Sequence, residues 1–234
     1  MKDSSFEGTS YEQILLGELP PGFPSDHIES GAQKIPKLAS FEVEDVPTEL
    51  IPFNDVSRAA SLSTSAAHFY KADYKFKTAI LRPLELVTHL RQFGFVLTPD
   101  LTLGDKMPPW QRIRNTVLSR AAGVIWQSRG IKVVPSLRWR DESDYEFVGS
   151  GLEPRSIFAV SSVGTRNDPR ETQIFETGLR HFVQNLEPRV VLIHGTINFH
   201  LWNWLSDETQ VLIYKPDSHF RRGKNEGPEE KLFV

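Results

Sequence analysis

Two aspartates stand where this 234-residue chain is best placed to carry out acid–base chemistry. Asp100 follows the strand-like run of residues 95–98, and Asp141 follows a second run at residues 131–135. Burial at the mouth of an apolar cleft raises the pKa of a carboxyl group, so the two would share acid and base roles. The same pair would suit a hard cation such as Mg²⁺. A turn at Asp100 and a helix cap at Asp141 are the structural alternatives.

Arg138 and Trp139 follow the second run and are candidate ligand-binding residues. Neighbouring side chains of a strand point to opposite sides, so the two diverge if the strand continues. The guanidinium would bind a phosphate or carboxylate through two hydrogen bonds, and the indole would stack on a base or a sugar. An ion pair at the sheet edge and a packed aromatic ring are the alternative interpretations.

A loop of small residues supplies further candidate ligand-binding positions, namely Ser161, Ser162, Gly164 and Thr165. Its amides and hydroxyls would cradle an anion near the start of the following helix. The loop lacks both the Gly-Lys-Ser/Thr ending of a Walker loop and the Gly-x-Gly-x-x-Gly pattern. Asn54 and His194, which follow other strands, complete the set. No His-Glu-x-x-His or His-x-His spacing occurs, so no zinc site is predicted.

Apolar runs alternate with helical segments, which predicts an α/β fold with a mostly parallel sheet and crossover helices. The predicted strands are residues 50–53, 67–70, 95–98, 131–135, 156–160, 190–193 and 211–214. One helix opens at Pro108-Pro109 and is closed by Gly130, and another opens at Asp168-Pro169. The first is predicted to bury Trp110, Ile113, Val117, Ala121 and Ile125, and the second Phe175, Leu179, Phe182, Val183 and Leu186.

Two closures of this sheet are compatible with the pattern: an open doubly wound sheet and a curled, barrel-like βα array. We favour an open or partly closed array, because fewer than eight good strands are visible. In either form, ligands bind outside the carboxyl ends of the strands. The polar residues that follow the strands are therefore the candidates for function.

Composition divides the chain into an acidic, Pro/Gly-rich irregular extension (1–48), a single α/β domain (49–220) and a charged tail (221–234). The extension carries a net charge of -6 and the remainder +3. The absence of cysteine excludes disulfides and thiolate metal sites, and it suits the reducing cytoplasm, where we expect the protein. No apolar run approaches the roughly 20 residues that cross a bilayer, so no membrane partner is expected.

A cluster of arginines raises nucleic acid as a partner. These arginines are Arg112, Arg114, Arg120, Arg129, Arg138 and Arg140. No helix-turn-helix, zinc-finger or RNP motif accompanies them, and an ordinary solvated surface is the alternative interpretation. The oligomeric state is not fixed by the sequence.

Between residues 50 and 195 the chain resembles the domain-of-unknown-function family 4417, which occurs in bacteria and on phages and other mobile elements. The matching pieces include Ile51-Pro52-Phe53-Asn54-Asp55, His68-Phe69-Tyr70, Thr98-Pro99-Asp100 and Gly130-Ile131-Lys132-Val133-Val134-Pro135. The resemblance implies a phage or mobile-element setting. It assigns no activity and no catalytic residue.

Two functions are compatible with these observations. The first is an enzyme or nucleotide-ligand protein, with a polar pocket for a small anionic ligand at the carboxyl ends of the strands. The second is a non-catalytic module of a phage or plasmid that binds nucleic acid or protein. The sequence does not decide between catalysis and binding, and fold alone does not decide it either.

Overall fold

The computed structural model of the protein describes residues 19–41, 45–165 and 168–216. The predicted tail and parts of the predicted extension lie outside these ranges. The strands are β1 Glu29–Ser30, β2 Ile35–Pro36, β3 Leu50–Pro52, β4 Ala66–His68, β5 Phe95–Leu97, β6 Val133–Val134, β7 Ile157–Ser161, β8 Val190–His194 and β9 Gln210–Tyr214. The helices are α1 Lys77–Leu81, α2 Val87–Leu90, α3 Pro109–Gln127, α4 Tyr145–Gly149, α5 Pro169–Leu186 and α6 Phe199–Glu208.

Seven parallel strands follow one another in chain order. Strands β3 to β6 form one parallel ladder, and β7 to β9 form another. A parallel bridge between Ser136 and Ala159 joins the two. The predicted α/β fold with a mostly parallel sheet is thus confirmed. Each strand lies beside the next one in the chain, so the sheet is singly wound and the doubly wound alternative does not occur.

The two faces of the sheet bury different side chains, because consecutive residues of a strand point to opposite sides. On the outer face, Val96 and Val133 pack against α3, and Phe158 and Val191 pack in the cluster that contains α5 and α6. The inner face forms a separate apolar cluster made of strand residues. Its buried members are Leu50, Ala66, Phe95, Leu97, Val134, Ile157, Ala159, Val190, Leu192 and Tyr214.

The inner cluster spans all seven strands, so the sheet is curled around it. Its two ends approach each other where the Tyr214 hydroxyl of β9 donates to the Pro47 carbonyl just before β3, at 2.6 Å. Among the described strands no ladder pairs β9 with β3. The array is therefore partly closed.

The described part of the predicted extension packs against this body. Strands β1 and β2 form an antiparallel hairpin, and Ile35 and Leu38 are buried. The Gln127 side chain at the end of α3 bonds both the amide and the carbonyl of Ala39, at 3.1 and 2.8 Å. This segment therefore packs against α3.

Candidate functional site

Polar side chains replace apolar ones on the inner face at the carboxyl ends of the strands. Strand β4 ends in His68, β7 in Ser161 and β8 in His194, and Ser136 lies two residues beyond β6. His68, Ser136 and His194 are buried, and Ser161 pairs with His194 in the ladder. Parallel sheets bind their ligands at this end. The four side chains form the floor of the candidate site.

Three aromatic rings contact one another across this floor. The His194 ring lies on the Tyr70 ring, with centroids 4.7 Å apart and planes at 15°, and 4.9 Å from the His68 ring. The Tyr70 amide donates to Nδ1 of His68, and the Tyr70 hydroxyl accepts from Ser136 Oγ, both at 3.1 Å. Burial raises the pKa of the Tyr70 phenol and the negative charge of Asp100 adds to the effect, so the phenol stays neutral.

A buried carboxylate and a half-exposed guanidinium stand above the rings. Asp100 is 7% exposed, and its Oδ2 accepts from Nη1 of Arg138 at 2.6 Å, whereas 44% of the Arg138 side chain is exposed. Burial raises the pKa of Asp100, and the Arg138 cation opposes the rise. The negative charge of Asp73 raises the pKa of Asp100 further. The Asp73 carboxylate accepts hydrogen bonds from the Thr102 amide and hydroxyl, at 3.2 and 3.0 Å. Asp100 therefore anchors one side of Arg138 and leaves the other open.

Two cavities meet at this ion pair. An outer cleft of about 100 Å³ is lined by Arg138, Arg140, Ser161 and Thr165 on its polar side and by Trp139 and Phe175 on its apolar side. An inner cavity of about 20 Å³, room for about one water molecule, lies against α3. Asp100 and Arg138 line both, so the ion pair is the wall between them.

Trp139 borders the outer cleft as a packed ring. It is 9% exposed, its Nε1 donates to the Ile174 carbonyl at 3.0 Å, and its centroid lies 5.0 Å from that of Phe182. A Cβ on Gly178 would lie 2.1 Å from its Nε1. The indole is therefore fixed against α5, which does not support the prediction that it stacks on a ligand.

Asp141 is not brought together with Asp100. It caps the turn Glu142–Asp144, where Oδ1 accepts from the Ser143 amide at 3.0 Å, and its Oδ2 accepts from Arg112. The hydrogen bond from the Ser143 hydroxyl lowers the pKa of Asp141, the opposite direction to Asp100. Asp141 lines neither cleft. The geometry thus does not bring the two carboxylates together, because Asp100 lies at the clefts and Asp141 lies in a separate turn.

The loop after β7 divides into residues that face the cleft and residues that hold the loop. Ser162 is buried, and its Oγ donates to the Thr196 carbonyl at 2.7 Å and accepts from the Thr196 amide at 2.9 Å. Gly164 has a φ of +93° and is exposed. Ser161 and Thr165 line the outer cleft. Two of the four predicted loop residues thus reach the site directly.

His68 and Tyr70 line neither cleft but contact site residues, Tyr70 through Ser136 and both through His194, and they are missing from the set selected on the sequence. Both fall in a run predicted as strand, and only residues after strands were selected. Their spacing of two places them on one face, which is the signal that would have found them. Asn54 is exposed after β3, and it too lines neither cleft.

Three of the six arginines in the arginine-rich stretch, Arg112, Arg120 and Arg140, are buried. Arg112 is 7% exposed, and its Nη1 lies 2.7 Å from Oδ1 of Asp144. Arg140 is 8% exposed and forms ion pairs with Asp105 and, at 3.0 Å, with Glu171. Arginines paired in this way do not present a basic surface, so they lend no support to a nucleic-acid interface.

Within residues 19–41, 45–165 and 168–216, no three His, Asp or Glu side chains converge to hold a metal ion. None of the helices in those same ranges combines the length and the apolar character that a bilayer crossing requires.

Comparisons with known proteins agree with the setting that the sequence implied. The model of a domain of unknown function, DUF4417, matches residues 28–214. This chain belongs to that family. The match begins at the β1–β2 hairpin and ends at β9, so it covers the whole curled sheet and the candidate site.

Two phage proteins are similar to this DUF4417 chain. The Gene 1 protein of Mycobacterium phage L5 is 33% identical over 170 residues, which are 72% of this chain and 73% of the relative. The Gene 1 protein of Mycobacterium phage D29 is 30% identical over 172 residues, which are 70% of this chain and 64% of the relative. No solved structure matches the chain.

Proposed function

We propose that this protein binds a small anionic ligand in the outer cleft, with Arg138 as the contact for a phosphate or carboxylate group. One observation carries the proposal: a half-exposed guanidinium, anchored on one side by a buried carboxylate, faces a cleft of about 100 Å³. Sites for small molecules combine apolar walls with a few fixed polar groups, as this cleft does.

The walls of the cleft supply both kinds of group. Ser161 and Thr165 supply hydroxyl-bearing side chains to the lining that contains Arg138, and Phe175 supplies an apolar surface. An anionic group at Arg138 would gain charge-assisted hydrogen bonds, and the remainder of the ligand, such as a nucleoside, would cover Phe175. The phage relatives favour the cytoplasm of a bacterial host as the place of action.

Calorimetric titration with inorganic phosphate and, in a separate arm, malonate distinguishes the two kinds of anion. We expect wild type to bind at least one of them, and Arg138→Met to weaken that binding about tenfold or more, because a charged hydrogen bond is lost. Arg129→Met is the matched control: Arg129 is exposed between α3 and β6, at the amino ends of the strands. Equal affinity in Arg138→Met and wild type, or no binding of either anion, would contradict the proposal.

A second candidate function, group transfer, rests on a contact inside the same cleft. Ser161 Oγ lies 3.2 Å from Nδ1 of His194, a distance at which a histidine acts as base for a nucleophilic hydroxyl. In this mechanism Oγ bonds to an acyl or phosphoryl centre as its proton passes to Nδ1. The leaving group departs with its bonding electrons and takes that proton.

A serine-directed organophosphonate tests this second candidate. The reagent should add its mass to wild type at Ser161 and leave Ser161→Ala unmodified, as read by intact and peptide mass spectrometry. Absence of label on Ser161 in folded wild type would rule out a nucleophilic role and leave the binding proposal in place.

A further inference from the structure

A second cleft, which we call the α5–α6 cleft, adjoins the outer one and differs from it in chemical character. It has a volume of about 120 Å³, and α5, the loop after β7 and the start of α6 contribute to it. Thr165 and Phe175 line this cleft and the outer cleft alike, so the two are neighbours. Its apolar lining is buried and consists of Phe175, Ile197 and Leu201. Its polar lining consists of Thr165, Thr172, Glu176, Thr196 and Asn198.

Glu176 presents an oriented carboxylate to this cleft. Its Oε1 accepts from Nδ2 of Asn198, whose own Oδ1 caps α6 by accepting from the Leu201 amide at 2.9 Å. Oε2 of Glu176 accepts no hydrogen bond from the described residues, and none of their basic side chains forms an ion pair with it. The contact with Asn198 thus fixes the carboxylate and leaves one oxygen for a ligand.

Two threonine hydroxyls of the α5–α6 cleft are acceptors as well, because their protons are already used. Thr172 Oγ1 donates to the Thr165 carbonyl at 2.9 Å, and Thr165 Oγ1 donates to the Ser162 carbonyl at 2.9 Å. A hydroxyl has one proton and two lone pairs, so both oxygens can still accept. These groups therefore require hydrogen-bond donors on a ligand, whereas Arg138 in the outer cleft requires an acceptor.

The spacing of the acceptors favours several hydroxyl groups over one ammonium group. Thr172 and Glu176 lie four residues apart in α5, and the Cβ atoms of such a pair are about 5–6 Å apart on one face of a helix. An ammonium carries its protons on a single atom, whereas the hydroxyls of a sugar are distributed over neighbouring carbons. A polyol therefore matches this row of acceptors.

We propose that the ligand of Arg138 is a phosphate ester with a vicinal diol, as in a pentose phosphate or a ribonucleotide, and that the diol binds at Glu176 and Thr172. The inference deepens the proposed function and rests on it. The phosphate lies at Arg138, and the carbon skeleton passes Thr165 and Phe175, which the two clefts share. Asp100 does not line the α5–α6 cleft, so it keeps its ion pair with Arg138.

Calorimetric titration with phosphate, ribose 5-phosphate and 2-deoxyribose 5-phosphate tests this ligand class. Wild type should bind ribose 5-phosphate about tenfold or more tightly than phosphate, because the hydroxyls donate to a charged acceptor. The deoxy sugar has no vicinal diol and should lose most of that advantage. AMP and dAMP repeat the comparison for a ribonucleotide, and the pair with the larger difference identifies the source of the diol.

Glu176→Gln separates the free carboxylate oxygen from the rest of the cleft. The amide oxygen of the variant still accepts from Asn198, which turns the NH₂ group, a donor, toward the ligand. The variant should bind phosphate like wild type and should not distinguish the ribo compounds from the deoxy compounds. Glu208→Gln is the matched control, since Glu208 is exposed at the opposite end of α6. Arg138→Met should weaken the binding of all these phosphates.

Three results overturn the inference while leaving the proposed function intact. The first is a wild type that binds ribose 5-phosphate and AMP no more tightly than phosphate. The second is a Glu176→Gln variant that keeps the full preference for the ribo compounds. The third is a larger advantage for aminoethyl phosphate, which carries an ammonium in place of the diol. If neither malonate nor any of these phosphates binds wild type, the proposed function and the inference fail together.

Discussion

Asp100 behaves differently from an ordinary surface carboxylate because it is buried while its partner is not. The Arg138 cation favours the ionised form, but loss of hydration outweighs this attraction, so the net pKa shift is upward. The charge of Asp100 in turn raises the pKa of Arg138. At neutral pH the ion pair thus holds Arg138 in place, but the buried charge of Asp100 lowers the free energy of unfolding.

Comparison with Asp100→Asn should show this loss as a pH dependence of the unfolding free energy of wild type. The folded-state pKa lies above the usual 3.8, so between the two values the native chain keeps a proton that the unfolded chain has lost. The contribution of Asp100 to the free energy of unfolding therefore falls as pH rises through that window. Asparagine does not titrate, so the variant lacks this dependence.

Urea denaturation of both proteins at several pH values from 3.5 to 7.5 measures the difference in unfolding free energy. That difference, variant minus wild type, should rise with pH and then level off. A difference that falls with pH would mean that the pairing with Arg138 outweighs burial.

At the scale of single elements, sequence periodicity predicted which face of a helix is buried better than it predicted how far along the helix the burial extends. The stripe predicted for α5 is confirmed, since Phe175, Leu179 and Phe182 are buried. In α3, Ala121 and Ile125 are buried as predicted, but Trp110 in the first turn is 66% exposed. Periodicity indicates which side of a helix points inward. It does not indicate where the partner surface ends.

The contact between Trp139 and α5 shows how an element fixes a residue at the edge of the site. Gly178→Ala would place a methyl group 2.1 Å from Nε1 of Trp139, inside the space that the indole occupies. Overpacking costs typically about 1–3 kcal/mol, more than the roughly 1 kcal/mol that alanine gains over glycine in a helix. We expect a net loss of stability together with a change in tryptophan fluorescence.

Gly149→Ala in α4 is the matched control, because its added methyl group meets Phe182 at an ordinary 3.5 Å. Urea titrations of both variants provide the comparison. Equal stability of the two would show that Trp139 moves freely and is available to a ligand after all.

At the scale of the whole molecule, the order and curl of the strands determine which residues meet. Parallel strands and crossover helices could be predicted, because both leave local patterns. Singly wound order and partial closure depend on contacts between distant segments, which no local pattern encodes. His68 at the end of β4 and Tyr70 just beyond it meet His194 of β8 only because the sheet curls. This is why the predicted site contained Arg138 and lacked His68 and Tyr70.

The bond from Tyr214 to the Pro47 carbonyl tests that closure. Tyr214→Phe leaves a buried carbonyl without this donor, which costs about 1–3 kcal/mol. Tyr74→Phe is the control: Tyr74 is 67% exposed, so this variant should leave the unfolding free energy unchanged. If both variants unfold at the same urea concentration as wild type, the two ends of the sheet are not joined through this bond.

The central claim is that Arg138 and the groups around it form an anion site at the carboxyl ends of the strands. The most direct measurement is a crystal structure of the full chain with tungstate, a tetrahedral oxyanion that is located by its anomalous scattering. The proposal predicts an anomalous peak in the outer cleft, with tungstate oxygens within hydrogen-bond distance of the Arg138 guanidinium and the Ser161 or Thr165 hydroxyl. A structure with tungstate bound only elsewhere, or with the cleft empty at saturating tungstate, would contradict it.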